Sequence, residues 1–200
     1  MKYIAHRVNT VEELKKVPEQ YGVELDLRDS AGGGLYLSHD PFCSGESFEE
    51  YLTHYRHGLM IVNVKSERVE YKALELLKRH GIEDFFFLDS SFPMIYGLAQ
   101  EGEHRIALRF SEYEGLETLE KCAGMAQWVW ADCFRRFPLD EETAEKIRRM
   151  GYRICAVSPE LQGRQGDVKE YARRAAACGI DAVCAKMFCM DEWENGNFFA

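Results

Sequence analysis

The chain has no C-x-x-C pair, no surplus of basic residues and no apolar run of membrane-spanning length, and each absence removes a class of function. Its seven cysteines are an odd number, and without paired spacing they read neither as a zinc site nor as a disulfide framework. Cys133, Cys155, Cys178, Cys184 and Cys189 stand mostly in apolar stretches, where a reduced thiol packs as a small hydrophobe. The formal charge of −9 argues against a general nucleic-acid surface, which needs a basic footprint. A cleft can still carry local charge against that global sign, so a phosphate ligand stays open. No stretch of about 18 consecutive apolar residues occurs, and no basic segment followed by an apolar one opens the chain. No stable membrane insertion is therefore expected, and a cytoplasmic location is.

What is present is a rhythm. With 200 residues, 46% of them apolar, a single domain over 1–200 can form an unstapled core, since a chain of this length buries roughly 70% of its unfolded surface. An amphipathic helix, a glycine and a short apolar strand recur as K-R-H-G-I-E-D-F-F-F-L, R-R-M-G-Y-R-I-C-A-V and A-A-C-G-I-D-A-V-C-A. Gly81, Gly151 and Gly179 stand where a helix C-terminus favours a left-handed residue. Val69, Ala73, Leu76 and Leu77 repeat at helical spacing, as do Val168, Tyr171, Ala172, Ala175 and Ala176. Ser66, Asp140 and Asp167 suit the N-caps of the helices that follow them.

Strands are expected at about 3–6, 22–28, 59–64, 84–88, 105–109, 127–131, 152–157 and 181–185. They are apolar on both faces, as in a parallel sheet covered by helices. Their number and alternation predict an α/β fold, a (β/α)8 TIM barrel, with an open doubly wound sheet as the alternative. Residues 29–38, with Gly32, Gly33 and Gly34, read as a small hairpin inserted after the second strand. The aromatic tail from Trp193 to Phe199 is expected to pack. Trp128 and Trp130 share a face of their strand and read as core, not as a sugar-stacking platform.

In such a barrel the residues free for chemistry lie at the C-terminal ends of the strands. Those ends supply His6 and Arg7, Glu24 and Asp26, His39 beyond the hairpin, then Asn63, Lys65, Asp89, Arg109, Asp132, Ser158 and Lys186. Glu24 and Asp26 are two apart, so both point to one face of a strand. Side by side they repel, and a magnesium or calcium ion would relieve that repulsion; an exposed acidic pair is the plainer reading. His6 and His39 each end an apolar segment beside a charged neighbour, and such a pair can supply one acid and one base near neutral pH. His54, His57, His80 and His104 read as helix or turn residues. Arg7 can bind phosphate through two parallel hydrogen bonds, and Lys65 as a point charge.

The string A-H-R, then N-T-V-E-E-L, G-V-E-L-D-L and L-Y-L-S-H-D-P resembles the opening of glycerophosphodiester phosphodiesterases, which belong with the phosphatidylinositol-specific phospholipases C in one superfamily of barrels. V-N-V-K and L-D-S-S-F resemble that family's third and fourth strand ends. The resemblance implies a hydrolase of small phosphodiesters in lipid metabolism, with His6 and His39 as general acid and base and a cyclic phosphate intermediate. It further implies Arg7 and Lys65 at the phosphate, Glu24, Asp26 and residue 63 as ligands of a divalent cation, and a small-molecule diester as the binding partner. Two features depart from the family. Its third metal-binding carboxylate is replaced here by Asn63, and the segment between H-D and the third strand is short, which leaves the mouth more open.

Arg109, Asp132 and Lys186 are further candidates for substrate hydroxyls or phosphate. Two other readings remain: a weakened or inactive barrel that binds a phosphorylated sugar or lipid headgroup, and a sugar-phosphate isomerase or aldolase using Lys186 as a Schiff-base amine.

Overall fold

Eight parallel strands close on one another in the computed structural model, which describes residues 1–196. They are β1 (Lys2–Ala5), β2 (Gly22–Asp29), β5 (Met60–Val64), β6 (Phe85–Leu88), β7 (Ala107–Phe110), β8 (Trp128–Ala131), β9 (Arg153–Val157) and β10 (Ala182–Ala185). Two short strands, β3 (Leu35–Leu37) and β4 (Glu46–Ser47), form an antiparallel ribbon on β2. β1 pairs with both β2 and β10, which closes the first and last strands of the barrel. The remaining seam, between β6 and β7, is joined by the parallel bridge Phe87–Ile106 and by the Phe87 amide donating to the Arg105 carbonyl at 2.9 Å. That closure decides for the barrel over the open sheet.

Four barrel strands, β5, β6, β8 and β10, are buried over their whole length, and β2 is buried as far as Leu27, as the apolar runs required. Around them lie α1 (Val11–Leu14), α2 (Phe48–His54), α3 (Glu70–Arg79), α4 (Phe92–Gln100), α5 (Leu116–Lys121), α6 (Glu141–Arg149), α7 (Val168–Ala177) and α8 (Met190–Gly196). The helical stripes face inward: Val69, Ala73, Leu76 and Leu77 are buried, as are Val168, Tyr171, Ala172 and Ala175. Gly81, Gly151 and Gly179 have φ of 69°, 94° and 63°, the left-handed exits expected of them.

The caps are less uniform. Asp140 accepts from the Thr143 amide at 2.7 Å and caps α6. Ser66 does not cap α3, because the chain runs on through Arg68 before turning at Val69; its hydroxyl accepts from the Asp29 amide instead. Asp167 occupies the N-cap position of α7, but its carboxylate pairs with Arg164 at 3.0 Å and makes no capping bond. Trp193 is fully buried, with its indole donating to Ser158 Oγ at 2.6 Å; Phe198 and Phe199 lie outside the described residues. Six cysteines are buried and Cys43 is exposed, all as free thiols.

Gly22 is where β1, β2 and β5 meet. A Cβ there would lie 2.2 Å from the Leu59 carbonyl oxygen and 2.5 Å from Ile4 Cδ1. The oxygen belongs to the backbone and cannot turn aside, so Gly22→Ala is expected to destabilise the fold by at least about 1–3 kcal/mol. A denaturant midpoint shifted down by that amount, against an unchanged midpoint for Gly81→Asn, checks it.

Candidate active site

The site forms around two carboxylates that the β2 period places on the inner face. Glu24 and Asp26 are each 1% exposed. In the parallel register Asp26 stands beside Asn63 of β5, and Asn63 beside Leu88 of β6. Removing a carboxylate from water costs several kcal/mol unless donors replace the lost hydration, and here donors converge. The Arg7 amide donates to Glu24 Oε2 at 2.7 Å and Asn63 Nδ2 to Glu24 Oε1 at 2.8 Å. Asn9 Nδ2 donates to Asp26 Oδ2 at 2.8 Å, while the Asp26 amide donates back to Asn9 Oδ1 at 2.8 Å. Lys65 Nζ lies 3.6 Å from Asp26 Oδ1, and Arg7 Nε lies 3.8 Å from Asp26 Oδ2. Burial first, then the neighbouring Asp26 charge, still holds the Glu24 carboxyl above its ordinary range.

Arg7 takes φ 57° directly after β1, a left-handed turn that aims its amide at Glu24. The chain then runs through Asn9 to Thr10, which caps α1 in a reciprocal capping box with Glu13. His6, just before that turn, has its Nε2 3.7 Å from Glu24 Oε2. Burial, then the charges of Lys186, Arg7, His39 and Lys65, lowers its pKa to about 3, so the imidazole is neutral at pH 7. Its Nδ1 is buried without a partner.

His39 reaches the same region only because the hairpin folds back. Ser30 and Gly34 close the turn, with Gly33 at φ 77°, and β3 returns alongside β2. Arg28 then ties the return together: it donates to the carbonyls of Ser38 at 3.0 Å, His39 at 2.7 Å and Lys65 at 3.1 Å. His39 Nδ1 is bonded to Asp40 at 2.7 Å, and its side chain is 40% exposed.

A cavity of about 220 Å³ lies at this end of the barrel, and its lining includes His6, Arg7, Asp26, His39, Asn63 and Lys65 on one side. Asp89, Arg109, Asp132 and Gln162 line the other, with Trp130, Val157 and Leu161. Arg109 is already committed: it meets Asp89 and Asp132 at 2.7 Å each and Glu114 at 3.2 Å. Asp132 also accepts from Gln162 at 3.1 Å. Lys186 is not among the lining residues, although its charge reaches His6. Ser158 is buried structure, bonded to Trp193 and Glu160. Trp128 is core, stacked on Phe86 at 4.8 Å, while Trp130 is both core and cavity wall.

Among the described residues no group of three or more His, Cys, Asp or Glu side chains is placed to hold a metal ion. Glu24, Asp26 and Asn63 form a smaller hard-oxygen set, in which the Asn63 Oδ1 is buried and unpartnered while its Nδ2 holds Glu24. Each carboxylate keeps lone pairs beyond those its neighbours use. Two charges and an amide oxygen fit a divalent cation, with less attraction than three carboxylates would give.

With this geometry in view, solved structures supply the comparison. The fold is that of glycerophosphodiester phosphodiesterases. One from Agrobacterium tumefaciens is 21% identical, with a TM-score of 0.70 over 96% of this chain and 99% of its own. One from Parabacteroides distasonis is 12% identical, with a TM-score of 0.67 over 98% of this chain and 85% of its own. A phosphodiesterase from Oleispira antarctica, solved with the product sn-glycerol-3-phosphate, is 16% identical, with a TM-score of 0.65 over 99% of this chain and 95% of its own. No protein-family profile matches the chain, and no curated protein matches it by sequence.

Asn9, Arg28, Asp89 and Gln162 complete the arrangement, and none stood out in the sequence as a site residue except Asp89, by its place at a strand end. Arg28→Met removes three bonds that hold the His39 return and is expected to cost about 1–3 kcal/mol, with proteolysis of residues 38–46 accelerating before global unfolding. The depressed pKa of His6 sets a second expectation. Below the unfolded-state value near 6.5 the unfolded chain gains a proton that folded His6 refuses down to about 3. Stability is therefore lost as pH falls through that window, by about 1–2 kcal/mol between pH 6.5 and 5. Chemical denaturation at the two pH values should show this loss in the native chain and a smaller one in His6→Asn.

Proposed function

We propose that the chain is a metal-dependent phosphodiester hydrolase of the glycerophosphodiester phosphodiesterase type, with His6 and His39 as general base and acid. The observation that carries this reading is the one cavity lined by both histidines together with Arg7, Lys65, Asp26 and Asn63. The shared fold supports it, and so does the sn-glycerol-3-phosphate bound by the Oleispira enzyme, since a cavity of about 220 Å³ suits a ligand of that size.

In the proposed reaction Arg7 and Lys65 hold the phosphoryl oxygens. A divalent cation on Glu24, Asp26 and the Asn63 amide oxygen would supply Lewis-acid stabilisation of the charge growing there. Neutral His6 accepts the proton of a substrate hydroxyl as that oxygen bonds to the neighbouring phosphorus. Burial is the first cause of the depressed His6 basicity, and the anionic diester offsets the second, the charges of Lys186, Arg7, His39 and Lys65, and so raises its proton affinity. His39, with Nδ1 held by Asp40, passes a proton from Nε2 to the leaving alkoxide as the P–O bond breaks. Water then opens the cyclic phosphate with the two roles exchanged.

The expected result is cleavage of glycerophosphodiesters that requires Mg2+, Ca2+ or Mn2+ and stops on chelation. His6→Ala and His39→Ala should each lower kcat/KM by about 10²–10⁴-fold. The amide at position 63 favours a second reading, a barrel that binds a phosphorylated ligand without turnover. In that case glycerol phosphate would raise Tm, the rise would survive His39→Ala, and no product would form from any diester with any of these cations.

A further inference from the structure

We propose that Asp89 is a positioning residue that shares the Lys65 ammonium with Asp26, so that the ammonium does not close fully on Asp26 and leaves that carboxylate available to a divalent cation. This rests on the metal-dependent reading of the site.

Asp89 immediately follows β6 and takes φ 61°, one of four non-glycine residues among those described with a left-handed backbone. A non-glycine residue held there is disfavoured unless the surroundings require it, although aspartate tolerates the region better than most. What this position achieves is a bridge. Asp89 Oδ1 accepts from Arg109 Nη1 at 2.7 Å, and Asp89 Oδ2 lies 3.6 Å from Lys65 Nζ. Lys65 Nζ is also 3.6 Å from Asp26 Oδ1. The ammonium thus stands equidistant between two carboxylates, one in the proposed cation set and one across the cavity.

Arg109 fixes the far carboxylate. Its guanidinium is itself gripped by Asp132 at 2.7 Å and Glu114 at 3.2 Å, so Asp89 is anchored to a rigid partner. A lysine side chain is a flexible stem ending in a point charge. Without the pull of Asp89, it would close on Asp26 from 3.6 Å to direct hydrogen-bond distance. The same ammonium would then compete with any cation for Asp26 and withdraw from the phosphate.

The test measures Mn2+ affinity of the whole chain by calorimetry, which needs no turnover. Asp89→Asn keeps the shape and the tolerance for positive φ while removing the charge. It is expected to weaken Mn2+ binding by about 10-fold or more, the size typical of losing an outer partner of a metal site. Lys65→Met removes the competitor, so in that background Asp89→Asn should change the affinity by less than about 2-fold, a non-additivity that marks coupled residues. Equal losses in both backgrounds would overturn the proposal, because Asp89 would then act on the cation directly or through the fold. Unchanged affinity in Asp89→Asn would overturn it as well. If the native chain binds no Mn2+, the metal-dependent reading falls and takes this proposal with it. If Mn2+ binds and the coupling is seen but no diester is cleaved, the hydrolase reading fails and the role of Asp89 stands.

Discussion

Two carboxylates on one strand, both shut away from water inside the mouth of a barrel, are the constraint around which the rest of the site is arranged. Each would cost several kcal/mol to bury bare, and Glu24 and Asp26 lie close enough for each to worsen the other. The compensation comes from four groups on two segments: the left-handed Arg7 amide and the Asn9 side chain after β1, and Asn63 of β5 with Lys65 just after it. Every one of them depends on the parallel register that sets β1 and β5 on either side of β2. Shift that register by one residue and the acidic pair would turn from the interior to the helix layer.

The same constraint explains the charge pattern of the cavity. Cationic groups gather at the side of Asp26, where Arg7 and Lys65 stand, although the chain as a whole is acidic. Across the cavity, Arg109 is matched by three carboxylates and has little attraction left for an anion. In the proposed reaction a phosphate would be drawn to one wall, the wall that also carries His6 and His39. Global charge says nothing of this asymmetry, which is set within a few ångströms.

Much of this could be read from the residues. The eight strands fall close to their expected places because apolar runs flanked by glycine exits leave few alternatives, and β2 shows its inward face through the two-residue spacing of Glu24 and Asp26. Ring closure follows from the count of eight strands alternating with helices, but the thinness of the β6–β7 seam, a single bridge and the Phe87 amide bond to Arg105, is not legible in the residues. Arg28 was missed because an arginine at the end of a strand looks like a solvated side chain. Its function is to hold three carbonyls from two loops, and those contacts exist only once the hairpin has folded back. Asn9 was missed for a related reason: its two bonds to Asp26 need the left-handed turn at Arg7, which no local residue preference announces. Ser66 failed as a cap because Arg68 extends the loop by a further turn. Position alone makes Arg109 a candidate for substrate hydroxyls or phosphate; it lines the cavity, and Asp89, Asp132 and Glu114 already surround its guanidinium.

Asn63 places an amide where the resemblance leads one to expect a carboxylate. A third acid beside Asp26 would add repulsion that only a tightly held cation could relieve. The amide instead donates to Glu24 and leaves an oxygen free, so it eases the burial of one acid and, in the proposed metal site, would offer a neutral ligand to a cation. For the proposed cation the cost would be attraction: with two formal charges in place of three, the pocket would have less to hold a metal against competition from Lys65. A neighbouring ammonium that would matter little beside three carboxylates becomes a serious rival beside two. That is the physical reason the position of Lys65 carries so much weight in this barrel.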